Sequence, residues 1–390
     1  MPGALDGLKI LDLSWGIAGS LGALLLAEQG ADVIKVEPPG GCPFRDYDGY
    51  AVWDRSRRSV TVDLKNPAGL EAFRALAADA DVLVETFRPG VADRLGIGYD
   101  AVHTRNERLV YCSCPAYPDG HRLASHHGYD ALVQASSGQQ WEQPGWRLGP
   151  IFLHMPMPSM AAMFLVPTGI LAALLAREET GRGQHVRTSL LQGAFLYTTQ
   201  IWTYAEQAPG EFWTVMSKSY PAGSHQEMVF EVANGDWIHT SIMSGLTPVK
   251  SQDAILGVPE ASNNERYAML SAEERAQITP KRQAAYKQRE RDPLIAEFRE
   301  NNHAVEAIVP MGASLGGAGE PHAQLAANEM VATVEDPDLG ETIQVGVPIH
   351  LGATPGAIRG PRPAPGQHND EVFGALGYPP DAVAAFSGAA

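Results

Sequence analysis

Short apolar runs alternate with amphipathic stretches through the first two hundred residues, and this spacing predicts strands and helices in turn. Residues 8–13 read as a strand, Gly16 and Gly19 as a turn, residues 21–28 as a helix stopped by Gly30, and residues 33–36 as a second strand ending at Glu37. Further strands are predicted at 59–64, 82–85 and 109–113. A helix at 67–78 is opened by Asn66, and a short one at 91–95 follows the turn Phe87-Arg88-Pro89-Gly90. Alternation of this kind predicts an α/β fold with a doubly wound parallel sheet.

A long apolar helix at about 160–178 runs into the break Thr180-Gly181-Arg182-Gly183-Gln184, followed by a strand at 186–188 and a helix at 189–200. From about residue 225 the pattern changes to short strands at 229–232 and 237–241, then a charged, mostly helical stretch at 272–299. Beyond 330 the chain reads as extended, including 342–347 and the Pro-rich 354–366, before a last helix near 370–376. The simplest partition is a large domain from 1–200 and 330–390 with a smaller α+β domain inserted at 225–325. Residues 201–224 and 326–329 then act as linkers.

Composition narrows the function classes. With 390 residues, 44% of them hydrophobic and 19% charged, a sizeable core is expected. The net charge of −16 comes with scattered Lys and Arg, which removes the electrostatic drive for nucleic-acid binding. Cys42, Cys112 and Cys114 are too few and too uneven for a disulfide framework or a zinc site, so a reducing, cytoplasmic setting and buried thiols are expected. No basic segment precedes an apolar one at the N-terminus. The most apolar stretch, 160–176, holds Pro167, Thr168 and Gly169 and falls short of the ~20 residues of a bilayer span, so it reads as a buried helix and no membrane is expected.

Four groups of residues carry candidate chemistry. Gly16, Gly19 and Gly22 precede Glu37 at roughly the distance of a dinucleotide fold's ribose acid, but the GxG that admits a pyrophosphate is missing, which disfavours a nicotinamide-dependent dehydrogenase. His121, His126 and His127 share one polar loop, yet adjacent histidines point apart, so no metal is expected. Asp130 and Ser159 each stand where a helix begins, and the plain reading of both is a local cap. No GxSxG elbow surrounds Ser159.

Taken together, several segments resemble the family III CoA-transferases, the CaiB/BaiF group that includes formyl-CoA transferase and, as a relative, α-methylacyl-CoA racemase. They are Leu5-Asp6-Gly7-Leu8-Lys9-Ile10-Leu11-Asp12, Gly30-Ala31-Asp32-Val33-Ile34-Lys35-Val36-Glu37-Pro38-Pro39, Val62-Asp63-Leu64-Lys65, Glu85-Thr86-Phe87-Arg88-Pro89-Gly90, Gly169-Ile170-Leu171-Ala172-Ala173-Leu174 and Gly366-Gln367-His368-Asn369-Asp370-Glu371-Val372. The resemblance is weak over 205–325. It implies a Rossmann-like large domain, a small domain, and an interlocked-ring dimer, either a homodimer or a heterodimer with a related chain. It also implies coenzyme A or acyl-CoA and a carboxylic acid as substrates, with no metal, and CoA contacts at Ile17, Ala18, Val62, Lys65, Thr86, Phe87, Arg94 and His127.

The family's nucleophile is an aspartate ten residues before the glycine of the Gly-Ile-Leu-Ala-Ala-Leu segment, and that position here is Ser159. A serine gives an ester, which cannot enter the anhydride and enzyme-CoA thioester stages. The family's glycine-rich loop has no counterpart near Pro221-Ala222-Gly223-Ser224. The racemase branch pairs a histidine with the aspartate, where this chain has Tyr129 and Ser159. The expectation is a CoA-transferase-like protein with altered chemistry, using Ser159 and Asp130. The alternative is a non-catalytic CoA-binding subunit that pairs with an active relative.

Overall fold

A computed structural model describes residues 2–142, 150–197, 229–240, 249–258, 272–310, 312 and 323–388. Those within 1–140, 152–199 and 323–390 form one compact unit, and those within 141–151 and 200–322 form a second. The chain runs β1 (Lys9–Asp12), α1 (Ile17–Glu28), β2 (Asp32–Glu37), α2 (Tyr50–Trp53), β3 (Arg58–Thr61), α3 (Pro67–Ala78), β4 (Val82–Glu85), α4 (Val91–Arg94), α5 (Tyr99–His103), β5 (Val110–Ser113), α6 (Asp130–Ser136), α7 (Gln139–Glu142), α8 (Met157–Thr180), β6 (His185–Arg187) and α9 (Leu190–Tyr197).

The first unit holds a six-stranded sheet in the order β3-β2-β1-β4-β5-β6, with every pair parallel. Both faces are covered, which is why the strands read as nearly continuous apolar runs. On one face Leu83 and Tyr111 pack with Phe73 of α3 and with Phe373 and Phe386 near the C-terminus. On the other, Val82, Val84 and Cys112 meet Ala23 and Leu26 of α1 and Ala162, Val166 and Ile170 of α8. The strand order reverses between β1 and β4, so a crevice opens at their C-terminal ends.

Helix α1 begins about a turn earlier than the glycine pattern suggests. Gly16, at φ +79°, is its N-cap, and Gly19 lies inside it. A Cβ on Gly19 would stand 2.2 Å from Ser14 Cβ and 2.8 Å from Thr86 Cγ2, so the missing side chain brings α1 down onto the ends of β1 and β4. Helix α8 also begins earlier than expected. Pro156 is its N-cap and Pro158 lies in its first turn, where no N–H is needed, so Ser159 stands inside the helix and not before it. Among the described residues α8 alone is long and apolar enough to cross a membrane, yet Ala162, Val166, Ile170 and Ala173 of one face are core.

Helices α8 and α9 touch at Gly193, where a Cβ would lie 2.5 Å from the Pro158 carbonyl oxygen and 2.9 Å from the Ala162 nitrogen. Both are backbone atoms and cannot swing away. Gly193→Ala is therefore expected to cost about 1–3 kcal/mol, outweighing the ~1 kcal/mol that alanine gains in a helix, and thermal unfolding checks this.

The first unit is completed by the antiparallel hairpin β10 (Val331–Asp336) and β11 (Gly340–Val345) and by helices at Asn369–Ala375 and Pro380–Ser387. The C-terminal segment closes the outer edge of the sheet. The β3 backbone N–H groups of Ser59 and Thr61 donate to His368 Nδ1 at 3.1 Å and Asn369 Oδ1 at 2.8 Å. In the second unit, strands β7 (Val229–Glu231), β8 (Trp237–Thr240) and β9 (Val305–Ile308) form an antiparallel sheet. Phe230 and Ile238 pack there with Tyr286, Leu294 and Phe298, and the charged stretch resolves into helices Ala272–Tyr286 and Arg291–Glu300. The loop expectation at Pro221–Ser224 lies outside the described residues.

Candidate active site

The crevice between β1 and β4 opens into a cavity of about 950 Å³ lined wholly by the first unit. Its rim is built by two strand ends that are tied together. Trp15 N–H donates to Thr86 Oγ1 at 2.8 Å, and the same hydroxyl donates back to the Trp15 carbonyl at 3.2 Å. The first N–H groups of α1, at Ile17 and Ala18, lack intrahelical partners by helix geometry and lie on this wall.

Beneath the rim is a buried ionic network. Arg57 Nη1 meets Asp12 at 2.6 Å and Asp54 at 2.7 Å, and Lys35 Nζ lies 3.3 Å from each carboxylate. Lys35 also donates to the Ser14 carbonyl at 2.5 Å, and Arg57 to the carbonyls of Ser20 and Trp53 at 2.9 and 2.7 Å. Two cations and two carboxylates balance, and their hydrogen bonds tie together the backbone after β1, in α1 and at the end of α2. Burial pushes the Asp12 carboxyl up, but Lys35 and Arg57 beside it bring it below the ordinary carboxylate value.

On the cavity wall Asp130 and Ser159 form one unit. Asp130 Oδ1 accepts the Ser159 N–H at 2.8 Å, and Oδ2 accepts the Ser159 hydroxyl at 2.7 Å. The plain expectation of two local caps is thus corrected. Asp130 is the first residue of α6, Tyr129 is that helix's N-cap, and the Asp130 carboxylate instead engages the N-terminal turn of α8. Ser159 is buried and its hydroxyl is committed to a carboxylate.

The model of CoA-transferase family III matches residues 5–369. The chain belongs to this family. It is 29% identical to succinyl-CoA–D-citramalate CoA-transferase of Chloroflexus aurantiacus, over 95% of this chain and 94% of the relative. It is 30% identical to formyl-CoA:oxalate CoA-transferase of Streptomyces coelicolor, over 96% and 95%. A CaiB/BaiF family protein from Brucella suis has the same fold, with a TM-score of 0.78 at 23% identity over 96% of this chain and 100% of that one. Family III acts on CoA thioesters.

Ile17, Ala18, Val62, Lys65, Thr86, Phe87, His127, Asp130 and Ser159 all line the cavity. Arg94 does not. It is exposed on α4, and the arginine on the wall is Arg88. Glu37, the would-be ribose acid, is buried and spends its carboxylate on Arg45 at 2.5 Å, Ser59 Oγ at 2.7 Å and the Cys42 N–H at 2.9 Å, leaving little for a ribose. Cys114 lines the cavity but is no nucleophile, because burial pushes its thiol up to about 12.

Sequence reasoning missed the aromatic wall of Trp15, Phe44, Tyr47 and Trp53, together with His154. The available signal was the density of aromatic residues between Gly40 and Trp53, a stretch with too little periodicity to register as an element.

Glu85 is the last residue of β4, and the sequence marks it only as the end of a strand. Burial pushes its carboxyl up to about 7, against hydrogen bonds from Ser113 and the Phe87 N–H that lower it, while Asp93 adds to the rise. A raised carboxyl favours the protonated fold, so its contribution to stability is full below the unfolded value of 4.5 and declines as pH rises through 7. Relative to Glu85→Gln, the wild type is expected to lose about 3 kcal/mol between pH 4 and pH 8, as measured by denaturant unfolding at both values.

Proposed function

We propose that the protein binds acyl-CoA along the cavity and cleaves the thioester through Ser159, with the aspartate that serves other members as nucleophile replaced by this serine. The observation that carries the reading is the Ser159 hydroxyl donating to Asp130 at 2.7 Å on the wall of the cavity. The serine oxygen attacks the thioester carbonyl while its proton passes to Asp130. The C–S bond breaks, and the departing thiolate takes that proton and leaves as the free thiol. An acyl-serine ester remains. Water then attacks the ester, one proton passing by way of Asp130 to the serine oxygen, and the acid is released. The balance is acyl-CoA and water in, acid and CoA out.

On this reading Lys65 offers a cation to the CoA phosphates, the α1 N-terminus at Ile17 and Ala18 offers N–H groups to anionic oxygen, and Phe87 offers an apolar face. His127 lies on the same wall as Tyr129 and Asp130. Arg94 reaches the nucleotide from outside the cavity.

The test is incubation with acetyl-CoA and longer acyl-CoAs, following thiol release and intact mass. Thiol release with an ester on Ser159, lost in Ser159→Ala, is the expected result. An adduct confined to Asp130, or turnover that survives Ser159→Ala, overturns it.

A second reading, as a CoA-binding subunit of an intertwined dimer, is favoured by the exposed apolar residues Phe164, Leu171 and Leu175 on α8. CoA binding with no thiol release, and co-purification with a second family III chain, would select it.

A further inference from the structure

We propose that Glu85 is a positioning residue, whose charge state sets the Thr86–Phe87 turn and through it the affinity of the cavity for CoA. The proposal rests on the reading of the cavity as the CoA site. Glu85 is 5% exposed and stands where the strand order reverses. Its Oε2 accepts the Phe87 N–H at 2.6 Å, so the side chain that ends β4 bends the next two residues back over itself. Those residues are the ones that reach the cavity. Phe87 lies on its wall with its ring 5.9 Å from that of Trp15, and Thr86 ties Trp15 to the same turn. One carboxylate thus stands behind the contact between the two strand ends.

Its surroundings make the charge state matter. The hydroxyl of Ser113 on β5 donates to it. The same hydroxyl lies 2.9 Å from His185 Nε2 on β6. Asp93 of α4, Tyr111 and Cys112 of β5 and Cys114 just after it also feel its charge. His185 is itself held below the ordinary imidazole value by burial and by Arg187, so it brings no compensating proton near neutral pH. The two hydrogen bonds named on Glu85 come from neutral donors, one hydroxyl and one backbone N–H. An ionised carboxyl in such a place depends on keeping both donors, and ionisation therefore locks the turn. A protonated carboxyl needs an acceptor of its own and holds the Phe87 N–H less firmly, so the turn loosens. Burial, which pushes the group up to about 7, puts this change at neutral pH.

The experiment is calorimetric titration of dephospho-CoA, which lacks the titrating 3′-phosphate, into wild type and Glu85→Gln from pH 6 to pH 8. The glutamine keeps an acceptor for the Phe87 N–H and has no proton to lose. The expected wild-type result is a Kd about fivefold weaker at pH 6 than at pH 8, with a midpoint near pH 7, and a flat profile for the variant. Parallel profiles overturn the proposal. Absence of binding to either protein at every pH would overturn the reading of the cavity instead, and the Phe87 amide reports on Glu85 separately. In protein labelled with 15N-phenylalanine, its resonance is expected to titrate near pH 7 in wild type and to stay fixed in Glu85→Gln. A resonance that behaves alike in both also overturns the proposal.

Discussion

Ser159→Asp is expected to raise CoA exchange between an acyl-CoA and a free carboxylic acid by about 100-fold or more, equivalent to about 2.7 kcal/mol at the barrier. The proposed chemistry gives the reason. An acyl-serine is an ordinary ester and a dead end for exchange, whereas an acyl-aspartate is an anhydride that the departing thiolate can attack again. The new side chain would face Asp130, whose carboxylate now accepts two hydrogen bonds from Ser159. Two carboxylates at that separation cannot both ionise freely, so one is pushed up, and the gain should fall in acid as the nucleophilic carboxylate takes up a proton. The measurement is transfer of label from free acid to acyl-CoA, with Ser159→Ala as the baseline. Wild type already exchanging at the rate of the variant would show that the serine is no obstacle.

Arg57→Met is expected to destabilise the protein by about 3–5 kcal/mol, a large share of the ~5–15 kcal/mol that holds an ordinary protein folded. The loss of packing is small. What remains is the problem, because Asp12 and Asp54 would be left with Lys35 alone, in a place where all four groups are almost wholly buried. Adding Asp54→Asn restores the charge balance and should recover part of the loss, which a double-mutant cycle in urea measures. A cycle with no coupling would mean that the four charges act independently. The contribution of Asp12, whose carboxyl is lowered in the fold, is present above the unfolded value of 3.8 and disappears in stronger acid.

These charges were open to notice in the sequence. Asp12 ends one apolar run and Lys35 sits inside another, and a charge in a strand covered on both faces must find a partner. Which partner was not open to notice, because Arg57 arrives from the irregular stretch between α2 and β3. The sheet was the most legible part. Strands β1, β2 and β4 each hold several buried aliphatic residues, and the Asn66 cap of α3, accepting the Ala68 N–H, was signalled by Asn-Pro.

The pairing of Asp130 with Ser159 was not legible. The two residues are 29 positions apart, and each alone satisfies the local pattern of a cap. Only the approach of α6 to α8 converts two capping signals into one shared pair. Glu85 was hidden for the same reason. A polar residue at the end of an apolar strand looks like punctuation until the turn after it folds back.

The closure of the sheet at β3 has a consequence for biogenesis. Ser59 and Thr61 receive their outer acceptors from His368 and Asn369, and the Ser59 pair is separated by 309 residues. A ribosome delivers the strand first and its cover only after most of the polypeptide has emerged, so the nascent sheet waits with an open ladder of amide donors. Only when the Gly-Gln-His-Asn segment arrives is that edge closed to strand addition by another chain.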